Sequence, residues 1–119
     1  DAKIGDPDNT RNRIVAYIPE HLLVLHNEHA PKNAPFDAGA FGRVRTIIEL
    51  DDLGNGRTLV TETSVGYDGS AASENVYAHF HSGNAEEFEM LKKALTSGPI
   101  DWKAEIAEAQ TAIKRAPAK

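Results

Sequence analysis

The chain has 119 residues, of which 40% are hydrophobic and 26% are charged, and its formal net charge is −5. This length suits one domain with one hydrophobic core. The acidic balance and the lack of a basic stripe exclude typical nucleic-acid binding, and no apolar run approaches the roughly 20 residues of a membrane span. The absence of cysteine excludes disulfides and thiolate metal sites.

The first residues of the chain do not identify the cell compartment of the protein. Residue 1 is Asp, and the single methionine is Met90. We therefore expect a processed form or a fragment that is incomplete at its N-terminus. The expected localisation is cytoplasmic, or periplasmic or secreted if Asp1 follows a removed signal peptide.

Runs of β-branched, aromatic and aliphatic residues predict an antiparallel sheet. Its four strands are predicted in chain order at residues 13–18, 21–27, 43–50 and 57–66. The second run is almost continuously apolar, which is typical of a central strand. Gly54-Asn55-Gly56 predicts a hairpin turn, because Asn and Gly tolerate positive φ. The segment from His29 to Gly42 has no period and is predicted to be a loop.

Because successive side chains of a strand point to opposite sides of a sheet, the sequence predicts which residues of the last two strands share a face. One face of the third strand carries mainly aliphatic residues, namely Val44, Thr46, Ile48 and Leu50. One face of the fourth carries aliphatic residues and threonines, namely Leu59, Thr61, Thr63 and Val65. We expect the other face of the fourth strand, with Glu62 and Ser64, to be the more solvated one.

A helical pattern runs from Ser70 to Ser97 and ends at Gly98-Pro99, where Gly terminates a helix well and Pro prevents continuation. Its apolar residues recur at helical spacing on one face, namely Val76, Phe80, Phe88, Leu91 and Leu95. We expect this helix to pack across the concave face of a curved sheet. The predicted fold class is therefore α+β, with a single domain over residues 1–119 whose residues 101–119 form a trailing helix and tail.

Motifs for metal binding or nucleophilic catalysis are absent. His79 and His81 lie about 200° apart around a helix and cannot chelate one ion together. The sequence has no HExxH and no GxSxG, and Gly66–Gly69 lacks the spacing of a phosphate loop. We therefore predict no metal and no cofactor, and we assign no catalytic residue.

The helix face favours a small-molecule cavity instead. A helix that closes a curved sheet leaves a pocket beneath its middle. Asn84 falls on the apolar helix face, and a buried amide needs a partner. Core packing is the alternative interpretation of the apolar helix residues. The candidate ligand-binding residues are Tyr17, His26, Thr46, Thr61, Thr63, Tyr77, Phe80, Asn84 and Phe88.

Three segments resemble, in the same order, the helix-grip domains of the START-like superfamily, also called SRPBCC. They are RIVAYIPEHLLVLHNE, RTIIELDDLGNGRTLVTETSVGYDG and VYAHFHSGNAEEFEMLKKALTSGPIDW. The resemblance is nearest to the branch similar to the activator of Hsp90 ATPase, and it covers about residues 12–103. Two features depart from the family. Its Gly-Trp is replaced by Gly83-Asn84, and its N-terminal strand and helix pair have no counterpart.

The resemblance implies a cavity for a small hydrophobic or amphipathic molecule and leaves three functions open. The first is non-catalytic ligand binding. The second is a polyketide cyclase-like enzyme in which His26, Tyr77 or Asn84 orients an enolisable substrate. The third is a protein-interaction module that resembles an Hsp90 co-chaperone. A missing first strand would leave a sheet edge open, so we also expect a possible homodimer.

Overall fold

The computed structural model describes Asp6 and residues 8–115, the side chains at positions 109 and 112–115 excepted. The described elements follow in chain order as β1 (Arg11–Ile18), β2 (Leu22–His29), α1 (Ala38–Phe41), β3 (Arg45–Gly54), β4 (Arg57–Val65), α2 (Ala71–Ser97) and α3 (Trp102–Arg115). The α+β prediction is confirmed. The short helix α1 lies in the segment predicted to be a loop, and the predicted tail beyond Arg115 lies outside the described residues.

The strands form one curved antiparallel sheet in the order β1-β2-β3-β4, as predicted. β2 is central, with β1 on one side and β3 on the other. The β3–β4 hairpin closes through Asn55-Gly56, and Asn55 has a φ of 55° and Gly56 a φ of 70°. β3 therefore extends to Gly54, beyond its predicted end at Leu50, whereas β4 begins at Arg57 as predicted.

The hairpin contains a β-bulge that decides which side of the sheet each β4 residue faces. Gly54 pairs with Arg57 next to the turn. If the pairing continued from there without a bulge, Val65 would lie opposite Thr46. The register shifts at Leu53, so Ser64 lies opposite Thr46 instead. A shift of one residue transfers every side chain of a strand to the other face.

We call the side of the sheet that carries Thr46 the Thr46 face, and the other side the Thr63 face. Ser64 and Glu62 lie on the Thr46 face and are partly buried, whereas Thr61 and Thr63 lie on the Thr63 face and are exposed. The prediction that the face with Glu62 and Ser64 is the more solvated was therefore wrong. The bulge at Leu53 is the reason.

The chain divides into two compact units, residues 1–80 and residues 81–119, and each is described by itself. The core of the first unit lies where the start of α2 meets the segment between β2 and β3. Val44 and Val76 are completely buried and Phe41 is 4% exposed. The ring of Phe41 stacks on Phe36 at 5.1 Å and on Phe80 at 5.9 Å between centroids.

The start of α2 thus buries its side chains mainly against α1 and Val44, where packing on the concave sheet face was expected. Asp37 makes this possible because its Oδ1 accepts the N–H of Ala40 at 2.7 Å and caps α1. Asn27 of β2 donates from Nδ2 to the carbonyl of Phe41 at 3.4 Å. These bonds hold the segment beside the sheet, with Phe41 in the core and Phe36 packed against it.

The second unit comprises the rest of α2 and α3. Gly98 has a φ of 88°, and its N–H donates to the carbonyl of Ala94 at 3.1 Å, so α2 ends as predicted. Asp101 caps α3 by accepting the N–H of Lys103 and of Ala104, each at 3.1 Å. The hydrogen bond to Glu105 raises the pKa of Lys93. The prediction of a single domain over residues 1–119 stays a prediction.

Gly66 offers a sharp test of the first unit. Its φ is 106°, and a Cβ there would lie 2.2 Å from the carbonyl oxygen of Arg43. We expect Gly66→Ala to lower the free energy of unfolding by at least about 2 kcal/mol, because strain and overlap add together. Gly69→Ala is the matched control, since Gly69 has a φ of 75° with open space around it. Equal losses for both variants in a denaturant melt would contradict the close approach.

Candidate functional site

Two buried hydroxyls lie at the end of β4 and form the centre of the candidate site. They are Ser64 Oγ and Tyr67 Oη, and we call them the hydroxyl pair. Neither oxygen has a hydrogen-bond partner among the described residues, although both are shielded from solvent. A buried polar group without a partner costs about 1–3 kcal/mol, so such a pair needs an explanation.

The local chain fixes both members of the hydroxyl pair. Ser64 is positioned by its pairing with Thr46, which is 7% exposed. Gly66 then turns the chain tightly past Arg43, and Tyr67 follows directly. Arg43 also binds Asp68, with 2.9 Å between Nη2 and Oδ2. The segment after β4 is therefore held at both its backbone and its side chains.

The first turn of α2 adds a second set of bonds. Asp68 Oδ1 accepts the N–H of Ser70 at 3.0 Å and its hydroxyl at 2.6 Å, and Ser70 Oγ accepts the N–H of Ser73 at 3.2 Å. Ser73 Oγ in turn accepts the N–H of Asp68 at 3.1 Å. The bonds from Ser70 hold the pKa of the Asp68 carboxyl below its usual range, with help from Arg43. This network sets where α2 starts relative to Tyr67.

The electrostatics of Tyr67 keep its hydroxyl protonated. Burial raises the pKa of Tyr67, and the nearby Tyr77 and Glu62 raise it further. The Ser64 hydroxyl acts in the opposite direction, because it is near enough to favour the phenolate, although its position does not satisfy the geometry of a full hydrogen bond. Tyr67 is therefore a neutral donor at physiological pH.

Tyr77 covers this site from the helix. Its ring meets the ring of Tyr67 edge-on, with centroids 5.3 Å apart, and is itself 49% exposed. Tyr77 lies on α2 within the same turn as Val76, which is completely buried. An exposed ring on a firmly anchored helix can change its rotamer without disturbing the core. Its movement would remove the edge-on contact with the ring of Tyr67.

Four of the predicted ligand-binding residues lie in the same unit as this site. Two of them contact its members, one packs in the core, and one lies on the Thr46 face. Thr46 is the β3 partner of Ser64, and Tyr77 contacts Tyr67. Phe80 stacks on Phe41 in the core, as the core-packing alternative expects. Tyr17 lies on the Thr46 face, in the row of Leu23 and Ile48, and is 64% exposed.

The structure separates other predicted residues from this group. His26, Thr61 and Thr63 lie on the Thr63 face, so they cannot line one side of the sheet together with Thr46. His26 Nε2 donates to the carbonyl of Gly42 at 2.9 Å, which gives this histidine a structural bond. The Leu53 bulge and the pleat place Thr61 and Thr63 on this opposite face, and the roles of all three residues as ligand contacts stay predictions.

Asn84 and Phe88 belong to the second unit, and both are partly buried. Their roles as ligand contacts stay predictions. Within the described residues, no group of three or more His, Asp or Glu side chains converges as metal ligands would. The described helices include none with the length and apolarity needed to cross a membrane.

The sequence analysis missed Ser64, Tyr67 and Glu62 as site residues. Tyr67 lies in the turn GYDG, and the sequence analysis considered only the two glycines of this turn. The signal that could have found it is an aromatic residue directly before a capping Asp and the start of a helix. Ser64 and Glu62 could be found only by anticipating the bulge at Leu53.

Comparisons with protein-family models, with curated proteins and with solved structures give no match to this chain.

Titration of the phenols tests the environment of Tyr67. We expect one phase of the phenolate absorbance to appear above pH 10, the usual value for tyrosine, and to vanish in Tyr67→Phe. Because the pKa is raised in the folded state, the contribution of Tyr67 to stability is complete below the unfolded pKa and is lost as the pH rises through the folded pKa. The exposed control Tyr17→Phe should keep the late phase. A late phase that survives in Tyr67→Phe would contradict this assignment.

Proposed function

We propose that the protein binds a small apolar or amphipathic molecule whose polar group accepts hydrogen bonds from the hydroxyl pair. The observation that carries this proposal is the burial of Ser64 Oγ and Tyr67 Oη without partners among the described residues. A ligand acceptor would satisfy both groups and would recover the cost of their burial. Binding sites commonly combine a few such polar groups with an apolar lining.

The apolar lining is available on the same side of the sheet. The Thr46 face carries partly buried aliphatic residues from three strands, namely Leu23, Leu25, Ile48, Leu50 and Val60. These side chains would receive the apolar body of a ligand whose polar end lies at the hydroxyl pair. Tyr77 then acts as a movable cover, since its half-exposed ring lies against Tyr67.

The resemblance to START-like helix-grip domains supports the same proposal. Those domains hold apolar or amphipathic molecules, and the four-stranded antiparallel sheet followed by a long helix is compatible with part of such a fold. We therefore propose membership of this superfamily. The site proposed here differs from the sequence-based cavity in its position, because it lies at the start of α2 and not beneath its middle.

Calorimetry with two probes tests the binding proposal. We expect 2-decanone, which has an apolar chain and a carbonyl acceptor, to bind more tightly than decane, which has the chain alone. Tyr67→Phe should weaken the ketone about tenfold, which corresponds to about 1.4 kcal/mol, and should leave decane unchanged. The same variant should raise the free energy of unfolding by about 1 kcal/mol, because it removes an unpaired buried hydroxyl.

The control for this experiment is Thr63→Val, which removes an exposed hydroxyl from the opposite face of the same sheet. It should alter neither affinity nor stability. Backbone amide shifts in NMR spectra should change at Ser64 and Tyr67 when the ketone is added. Ketone binding that is equal in wild type and Tyr67→Phe, or shifts confined to other parts of the chain, would refute the proposal.

A second candidate function is self-association through β1, and the exposure of this edge strand favours it. Ile14 and Tyr17 on the Thr46 face are 62% and 64% exposed, and Ile18 on the Thr63 face is 53% exposed. Arg11 and Arg13 both form ion pairs with Glu28 of β2. Glu28 offsets one of these two positive charges, which reduces the repulsion between two copies of this strand.

Sedimentation velocity tests this second candidate. We expect the sedimentation coefficient of the wild type to rise with concentration and that of Tyr17→Lys to remain at the monomer value, because a new charge opposes burial of the strand. Thr63→Lys is the matched control, since Thr63 is exposed on the opposite edge strand, β4. A wild type that stays monomeric at all concentrations would exclude this candidate.

A further inference from the structure

The charge beside the hydroxyl pair limits which ligands the proposed site accepts. Glu62 lies two residues before Ser64 on the same strand, and both project onto the Thr46 face. Glu62 is partly buried, so water screens its carboxylate less than it screens an exposed one.

We infer that the site selects neutral acceptors, such as the carbonyl oxygen of a ketone, aldehyde or ester, and rejects carboxylates, with Glu62 as the residue that determines this specificity. This inference rests on the proposed function. It goes further because it names the ligand class and a residue that excludes a related class.

The chemistry of the donors suits a carbonyl group. A carbonyl oxygen has two lone pairs and can accept one hydrogen bond from Ser64 Oγ and another from Tyr67 Oη. Both donors are neutral, and neither brings a positive charge that would compensate a bound anion. A neutral polar group thus satisfies the pair without leaving a charge buried beside the apolar Thr46 face.

A carboxylate at the same position faces two penalties. It must leave water for a partly buried site, and it must approach the carboxylate of Glu62. Tyr67 already reports both effects, because burial and the charge of Glu62 oppose the formation of its own phenolate. A ligand anion that contacts Tyr67 Oη enters the field that opposes this phenolate.

A matched ligand pair and a matched variant pair test the inference. We would measure the affinities of 2-decanone and decanoate by calorimetry at pH 8, where decanoate is ionised. In the wild type we expect the ketone to bind at least tenfold more tightly. In Glu62→Gln this ratio should fall about tenfold, mainly because decanoate gains affinity. The control Glu49→Gln, which removes an exposed carboxylate from the Thr63 face, should keep the wild-type ratio.

The outcomes separate this inference from the proposed function. Decanoate that binds the wild type as tightly as the ketone would overturn the inference and leave the binding function standing. A ratio that is unchanged in Glu62→Gln would overturn the role of Glu62. If neither ligand binds, the proposed function fails, and the inference fails with it. As an independent readout, Glu62→Gln should shift the late phenol phase of Tyr67 to lower pH.

Discussion

The bulge at Leu53 is the constraint on which the candidate site depends. It inserts one residue into β3, and Ser64 and Glu62 thereby move to the side of the sheet that carries Thr46. Without it, Thr63 and Val65 would occupy that side and Ser64 would face the other way. Asp52 supports the irregular backbone because its Oδ1 accepts the N–H of Gly54 at 2.7 Å. A local feature about ten residues away from Ser64 thus determines the chemistry of the site.

The second requirement is a fixed crossing from β4 into α2. The chain passes so close to Arg43 at Gly66 that no side chain fits there, and Asp68 then joins that arginine to the start of the helix. Asp68 accepts the N–H of Ser70 and donates its own N–H to Ser73 Oγ, and these bonds confine the segment in which Tyr67 precedes Asp68. A buried hydroxyl without a partner persists only where the surrounding structure leaves it no alternative position. The capping network supplies that confinement.

The sequence predicts the elements of this fold well and the faces of its last strand badly. Strand order, the Asn55-Gly56 turn and the end of α2 at Gly98 follow from local rules about alternation and positive φ, and all three are confirmed. The bulge has no comparable local signature, since Leu53 is an ordinary strand residue. The helix α1 was missed because four residues are too few to show a helical period. Of the site, Tyr77 and Thr46 were predicted, whereas Ser64, Tyr67 and Glu62 depended on the register.

The distribution of burial in the first unit explains why a ligand on the Thr46 face would also stabilise the fold. Its fully buried apolar side chains are concentrated at the start of α2, while β1 is exposed along its whole length. A sheet with so little cover gains little free energy from its strands, so two unpaired hydroxyls are a considerable cost. Occupation of the Thr46 face would bury aliphatic surface and satisfy both hydroxyls in one step. If the proposed ligand binds there, binding and completion of the core are the same physical event, and the free energy of unfolding should rise with the logarithm of the ligand concentration above the Kd.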